Sequence, residues 1–158
     1  MHTFTDHAGR TWTLTITVDA IKRVQALVGV NLAKILDSQR ESTLPLLTEL
    51  QADIVLLCDV LFALVKPQAD TQGVSDEQFG QALGGEAIAA AHTAFWEEMI
   101  GFFQKLPHGQ ATVMAIRKHE EMVTAGMKAA RERIEALGAQ AVRRTAPPAT
   151  RGVPAGPK

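Results

Sequence analysis

The sequence is poor in the residues and spacings that build covalent and catalytic sites. Cys58 is the only cysteine among the 158 residues, which excludes a disulfide within the chain and is typical of a reducing cytoplasm. No two histidines stand four residues apart and no thiolate cluster can form, so no metal site is expected. A serine nucleophile elbow is absent, and Gly84-Gly85 joins two predicted helices rather than a strand and a phosphate-binding helix. We therefore expect neither an enzyme nor a protein that holds a cofactor.

Long apolar runs and a large net charge are also missing. The longest apolar stretch, residues 54–65, contains Asp59 and is much shorter than the roughly 20 apolar residues that cross a bilayer. The first residues lack the basic segment and apolar core of a secretory signal. The net charge is −1, so no overall field favours nucleic acid or an anionic membrane. These absences predict a cytoplasmic protein with neither membrane nor nucleic acid among its partners.

Positive charge is concentrated at the C-terminal end of the chain. Residues 138–158 contain four basic residues and no acidic one. Their Ala-, Pro- and Gly-rich composition buries too little apolar area to offset chain entropy, so we expect a disordered basic tail over residues 138–158. A spacer or solubilising role is favoured over weak contacts with nucleic-acid phosphates, because the charges are few and widely spaced.

Residues 2–18 alternate in polarity as a half-buried β-hairpin does. Trp12, Leu14 and Ile16 alternate with threonines, which is a strand pattern, and residues 6–9 supply a turn that ends in glycine. An isolated hairpin is only marginally stable in water. We therefore expect it to pack on the helices of the same domain or on a second copy of the chain.

The remainder of the sequence has helical periodicity and predicts a mainly α protein with a bundle of about five helices. The bundle and the hairpin are predicted to form one domain over residues 1–137. Asp19 is predicted to cap the first helix. A long apolar helix that begins at Pro45 is predicted to end at Pro67, and Ser75 opens a short helix through the capping-box pattern Ser-x-x-Gln. The later helices are predicted over residues 86–106 and 110–137, after breaks at Gly84-Gly85, read as a C-cap, and at Pro107-His108-Gly109.

The helix over residues 86–106 concentrates the aromatic residues of the chain. Its apolar side chains form two adjacent stripes, of which at least one must belong to the core. The second stripe is expected either in the core as well, which is the commoner outcome, or at the surface as a partner-binding groove, because Trp and Phe are favoured interface anchors. The candidate partner-binding residues are Phe95, Trp96, Met99, Phe102, Phe103 and Leu106.

Three acidic side chains lie in apolar helical segments. Glu97 and Glu98 are adjacent and point about 100° apart on a helix, which argues against an acid–base dyad, and both are expected to face water. Asp59 lies inside the most apolar segment, where an unpaired carboxylate would be costly. It is expected either to point outward or to pair with a basic residue such as Lys22 or Arg23.

Several short segments occur in a recognisable order. They are the hairpin with Trp12, Asp19-Ala-Ile-Lys-Arg-Val, Gly29-Val30-Asn31-Leu32, Leu57-Cys-Asp-Val-Leu-Phe, Lys66-Pro67-Gln68-Ala69, Gly73-Val74-Ser75 with Phe79, Leu83-Gly84-Gly85 and Phe102-Phe103. In this order they resemble the tail assembly chaperones of tailed phages and prophages. The resemblance covers residues 4–106 and consists of apolar and turn residues without a catalytic signature.

The resemblance implies a non-enzymatic role. Such chaperones bind and shield the long, helix-rich tape measure protein in the bacterial host cytoplasm before the tail tube polymerises around it, and they leave before the particle is complete. The tape measure protein would be the main partner, with the tail tube protein and further copies of the chain as others. The basic tail would either mark where a frameshifted longer form diverges or recruit tube subunits.

Two other classes of protein stay open. One is a structural tail or connector component of the virion, whose hairpin would add to the sheet of a neighbour. The other is a small helical regulator that would bind nucleic acid through the basic tail.

Overall fold

The computed structural model describes residues 1–37, 45–145 and 156. These residues form six α-helices, one short 3₁₀ helix and a two-stranded antiparallel sheet, so the predicted mainly helical class with an N-terminal hairpin is confirmed. The chain divides into two compact units, Met1–His119 and Glu120–Lys158. The elements are β1 (His2–Thr5), β2 (Thr11–Leu14), α1 (Val18–Val28), the 3₁₀ helix (Leu32–Lys34), α2 (Leu46–Ala52), α3 (Ile54–Gln72), α4 (Asp76–Ala82), α5 (Gly85–Gln104) and α6 (Gln110–Thr145).

The core of the first unit lies between the hairpin and helices α1, α3 and α5. β1 packs on α5, β2 on α3 and α1 on α3, which buries the apolar face of the hairpin against helices of the same chain. Trp12 is fully buried and meets Phe79 edge to face, with ring centroids 5.3 Å apart. The helices therefore give the hairpin the support that two strands by themselves lack.

The buried carboxylate of Asp6 closes the turn of the hairpin. Its Oδ1 accepts hydrogen bonds from the backbone N–H groups of Ala8 and Arg10, and its Oδ2 accepts from Arg10 Nε and Trp12 Nε1, at 2.8–2.9 Å. Burial by itself would raise the pKa of Asp6, but these hydrogen bonds and the Arg10 charge hold it below its ordinary value. One side chain thus connects the turn, the strand and the core.

The hairpin is shorter than predicted over residues 2–18, and the cap of α1 lies elsewhere. The strand pairing ends where His2 faces Leu14. Thr17 rather than Asp19 is the N-cap, because its extended backbone places its hydroxyl where it accepts a backbone N–H of the first turn. Asp19 instead lies within that turn, where a negative charge is favourable near the helix N-terminus.

The long apolar helix predicted from Pro45 is two helices, α2 and α3, which meet at Asp53. Asp53 has an extended backbone with φ −104° and ψ 100°, and its carboxylate accepts hydrogen bonds from the N–H groups of Val55 and Leu56. The side chain thereby caps α3 and competes with continuation of the preceding helix. Ile54 and Val55 are consequently exposed and do not join the core.

Pro67 lies inside α3 and does not end it, in contrast to the prediction. α3 continues until Gly73, which adopts the left-handed conformation with φ 65°. A proline inside a helix removes the N–H that would bind the carbonyl four residues earlier, here that of Ala63. Arg23 of α1 supplies the missing donor, since its Nε donates to the Ala63 oxygen at 2.7 Å and its Nη2 to the Leu64 oxygen at 3.2 Å.

We expect Arg23→Ala to lower the free energy of unfolding by about 1–3 kcal/mol, because it leaves a buried carbonyl without a donor. Pro67→Ala restores the helical N–H at that carbonyl, so Arg23→Ala should cost about 1 kcal/mol less in the Pro67→Ala background. Urea unfolding of the four proteins measures this coupling. An equal cost of Arg23→Ala in both backgrounds would contradict the compensation.

The capping box predicted at Ser75 is confirmed. The Ser75 hydroxyl accepts the N–H of Gln78, and the Gln78 side chain accepts the N–H of Ser75. The predicted C-cap Gly84 is instead the N-cap of α5, and its carbonyl accepts a hydrogen bond from His7 Nε2 at 2.6 Å. This contact holds the turn of the hairpin against the start of α5.

α6 continues beyond the point where the disordered tail was expected. It runs to Thr145, so residues 138–145 are helical where disorder was predicted. They contain two alanines, the best helix formers, and Arg143 and Arg144 lie in the last turn, where cations interact favourably with the helix dipole. The rest of the predicted tail, apart from residue 156, lies outside the described residues.

Candidate protein-binding groove

A groove on the first unit is lined by residues of α1, α3 and α4. Its volume is about 430 Å³, which is room for a few side chains of a partner. The lining combines apolar side chains with two acids and one lysine. These residues are Leu27, Val28, Leu56, Asp59, Phe62, Ala63, Lys66 and Asp76.

The apolar part of the groove combines half-buried and exposed side chains. Leu56 and Phe62 are half-buried, and the Phe62 ring packs against that of Phe79 with centroids 5.4 Å apart. Leu27 lies in the last turn of α1 and is 57% exposed. An exposed leucine beside a half-buried aromatic ring forms a surface that the apolar side chains of a partner can cover.

Acidic side chains border the groove. Asp59 and Asp76 are both exposed, and neither forms an ion pair within the described part of the chain. Desolvation raises the pKa of Asp59, and the negative charge of Asp76 raises it further. The one lysine of the lining, Lys66, is bound to Asp70. The groove therefore favours a partner that brings cationic groups next to apolar ones.

Cys58 and Asp59, both singled out in the sequence, are adjacent on α3. Cys58 is half-buried, and burial together with the charges of Asp59 and Asp76 raises the pKa of its thiol to about 11. The thiol is therefore protonated at neutral pH and acts as a small apolar group. Asp59 points outward, one of its two expected arrangements, whereas Arg23 pairs with Asp19 at 2.9 Å.

Most of the predicted partner-binding residues lie in the core of the first unit. Those that are at most 4% exposed are Phe95, Trp96, Met99 and Phe103. The rings of Phe95 and Trp96 meet edge to face with centroids 5.0 Å apart, so both stripes of α5 pack inward and these side chains are not accessible. Phe102 is half-buried and Leu106 is 40% exposed. A partner-binding role for the set stays a prediction.

The two surface members of that set border a smaller cavity of about 240 Å³ together with Glu98. Glu98 is 8% exposed, so the prediction that it faces water was wrong. Its carboxylate accepts hydrogen bonds from His2 Nδ1 and the Met1 amine at 2.8 Å, and from the Ile16 N–H at 3.3 Å. Burial would raise the pKa of Glu98, but these donors hold it below its ordinary value. The carboxylate therefore joins the hairpin to α5.

Sequence reasoning did not predict the groove as a site. Leu27 and Phe62 follow the helical spacing of buried residues, so their exposure depends on how α1, α3 and α4 meet. The one local signal was Asp59, an acidic residue inside an otherwise apolar helical stretch.

Among the described residues, neither a cluster of metal ligands nor a membrane-spanning helix is found. Within residues 1–37 and 45–145, no group of three potential metal ligands occurs, and no helix there combines the length and apolarity that crossing a bilayer requires. No protein-family model matches the sequence, and comparison with curated proteins and with solved structures gave no significant match either.

Proposed function

We propose that this protein is a non-enzymatic tail assembly chaperone of a tailed phage or prophage, which binds and shields the tape measure protein in the host cytoplasm. The observation that carries the proposal is the groove, an apolar surface bordered by acids on a small helical unit. A chaperone of this kind needs a surface that is apolar enough to cover an exposed apolar stripe of its client. The border of that surface must be polar enough for it to remain exposed to water when no client is bound.

The groove fits an amphipathic client helix that carries basic residues beside its apolar stripe. Apolar side chains spaced three and four residues apart would lie against Leu27 and Phe62. Lysine or arginine next to them would face Asp59 and Asp76, which favours the correct register and speeds encounter. A tape measure protein exposes long helical stripes before the tube encloses it. Because the groove takes only a few side chains, each contact would be weak enough to be reversed by the assembling tube.

The arrangement of β2 favours the chaperone over a structural component that joins its neighbours through this strand. The backbone of Thr13 is already paired with a side chain, since its N–H donates to Gln68 Oε1 at 3.0 Å and its carbonyl accepts from Gln68 Nε2 at 2.7 Å. A strand added at this edge would have to displace the Gln68 amide.

The proposal is tested first by the fate of the tagged full chain during phage production. We expect the tape measure protein to co-purify from the lysate and the tagged chain to be missing from purified particles, both measured by mass spectrometry. Stoichiometric amounts of the chain in particles would support the structural component instead. Co-purification of no phage protein would contradict both.

Leu27→Glu is expected to reduce recovery of the tape measure protein at least about tenfold, because it places a charge against the apolar stripe of the client. Val55→Glu is the matched control, since Val55 is 66% exposed on the same unit and does not line the groove. Both changes lie at exposed positions, so the melting temperature should stay unchanged. Equal loss with both variants, or with neither, would place the client elsewhere.

A further inference from the structure

The groove of the first unit contains one cation of its own. The ammonium of Lys66 lies over the ring of Phe62, 5.9 Å from its centroid, and binds the carboxylate of Asp70. The three residues follow one another at intervals of four, so they lie on the same face of α3. Phe62 and Lys66 both line the groove. An aromatic ring together with a carboxylate therefore already holds a positive charge at this surface.

The lysine does not compensate the two acids of the lining. Its charge is neutralised by Asp70, so Asp59 and Asp76 leave two negative charges at the border of the groove. Burial raises the pKa of Asp59, and the charge of Asp76 raises it further, which shows that the two carboxylates repel each other. A second cation placed beside both carboxylates would relieve this repulsion.

We propose that Phe62, Asp59 and Asp76 form a cation subsite for an arginine of the client helix, and that Lys66 occupies this subsite until the client binds. The inference rests on the proposed function in taking the groove as the surface that receives the client. Arginine fits better than a second lysine, because its planar guanidinium stacks on an aromatic face while its N–H groups bind carboxylates in pairs. Lys66 keeps its partner Asp70 when it leaves the ring, since both lie on α3.

Exchange of one cation for another gives the groove both protection and selectivity. In the free chain the aliphatic part of Lys66 covers the Phe62 ring, as lysine stems commonly cover apolar surface, and this limits association of the empty groove with the wrong apolar surface. In the complex an arginine beside the apolar stripe takes its place. A helix with the same stripe but no arginine would leave Asp59 and Asp76 without a counter-charge, and it would therefore bind less tightly.

The cation subsite is tested on the purified full chain with two synthetic helical peptides, without phage components. Both peptides carry the same leucine stripe. One has arginine beside the stripe and the other has citrulline, which keeps the planar shape of arginine but not its charge. Fluorescence anisotropy should give a dissociation constant at least about tenfold lower for the arginine peptide. Asp59→Asn should reduce this preference at least about threefold, because it removes one of the two counter-charges.

Lys66→Ala should tighten binding of the arginine peptide at least about fivefold, because it removes the internal cation from the ring. Lys22→Ala is the matched control, since it removes the same charge from an exposed position of α1 that does not line the groove. Its dissociation constant should change less than about twofold at physiological salt, where distant surface charges are screened. Thermal unfolding should show that both variants keep the fold.

A second measurement follows Lys66 in the wild-type chain. The ring current of Phe62 should shift the ε-methylene protons of Lys66 upfield in the free protein, and this shift should disappear when the arginine peptide saturates the groove. NMR spectra of the chain with isotope-labelled lysine report both states. A shift that is unchanged at saturation would overturn the displacement of Lys66.

The remaining outcomes separate the subsite from the proposed function. Equal affinity for the two peptides, or no measurable binding of either, would overturn the cation subsite. A gain of equal size in Lys66→Ala and Lys22→Ala would overturn the role of Lys66 as its occupant. Arginine preference without co-purification of the tape measure protein would support the subsite and contradict the chaperone, and co-purification without arginine preference would do the opposite.

Discussion

Replacement of Trp96 with alanine is expected to lower the free energy of unfolding by about 3–5 kcal/mol. Trp96 is 1% exposed, and its indole N–H donates to His92 Nε2 at 3.0 Å. Burial lowers the pKa of His92 and keeps the ring neutral, so that this nitrogen can accept. The variant loses the buried ring, leaves a cavity in a close-packed core, and removes the donor of His92. A loss of this size is a large part of the total stability of an ordinary domain, about 5–15 kcal/mol.

Leu106→Ala is the matched control, because Leu106 ends the same set of residues but is 40% exposed. Its free energy of unfolding should change by about 0.5–1 kcal/mol. Urea unfolding followed by circular dichroism compares the two variants. If Trp96→Ala were as stable as Leu106→Ala, the indole would not be a core group, and Trp96 would return to the candidate partner surface.

This difference determines how partner binding at α5 has to be tested. Loss of binding in Trp96→Ala or Phe103→Ala would follow from unfolding and would say nothing about contact with a client. Leu106 is 40% exposed and Phe102 is half-buried against the core, so truncation of these two residues removes least from the core and reports best on binding.

Asp6→Asn is expected to lower the free energy of unfolding by about 2–4 kcal/mol at neutral pH. The Asp6 side chain is fully buried, and all its hydrogen-bond partners are donors on the backbone of the turn, Arg10 and Trp12. The asparagine amide keeps one acceptor oxygen but replaces the other by an NH2 group, which is itself a donor. The buried donors that bound the lost oxygen are then left without an acceptor. Asp70→Asn is the control, because the Asp70–Lys66 pair is exposed and worth about 0–1 kcal/mol.

The loss in Asp6→Asn should also depend on pH. The pKa of Asp6 in the folded chain lies below its ordinary value near 3.8, so the carboxylate stabilises the fold fully above that value and loses this contribution as pH falls through the folded pKa. The difference in unfolding free energy between wild type and variant should be constant from pH 7 to about pH 5 and shrink below about pH 4. Glu98, whose pKa is lowered too, titrates in both proteins and cancels in the difference. Urea unfolding at several pH values measures this difference in unfolding free energy. A difference that grows as the pH falls would contradict a stabilising role for the Asp6 carboxylate.

Features that depend on neighbours in the chain could be predicted from the sequence. The Ser75–Gln78 capping box needs only two side chains and two backbone N–H groups within one turn. The hairpin needs only its alternation and a turn that ends in glycine. Asp53 shows the limit of local rules, because an aspartate inside an apolar stretch is compatible with a continuous helix and with a cap between two helices.

Features that depend on contacts between distant residues could not be predicted. Pro67 does not end α3 because Arg23, more than forty residues earlier, supplies a donor to Ala63. Glu98 is buried because His2 of the hairpin and Ile16, just after it, both reach its carboxylate. The apolar spacing of Leu27 is that of a core residue, and its exposure follows from how closely α1 meets α3 and α4.

By itself, the sequence determined the helical class, the hairpin and most of the breaks between helices, since periodicity and capping act over a few residues. Only the tertiary structure decided which apolar stripes are covered and which acids are buried. Burial depends on two surfaces that meet, and the local sequence pattern of one element does not say which other element will cover it. The aromatic stripes of α5 therefore lie in the core, while the groove beside α1 stays open.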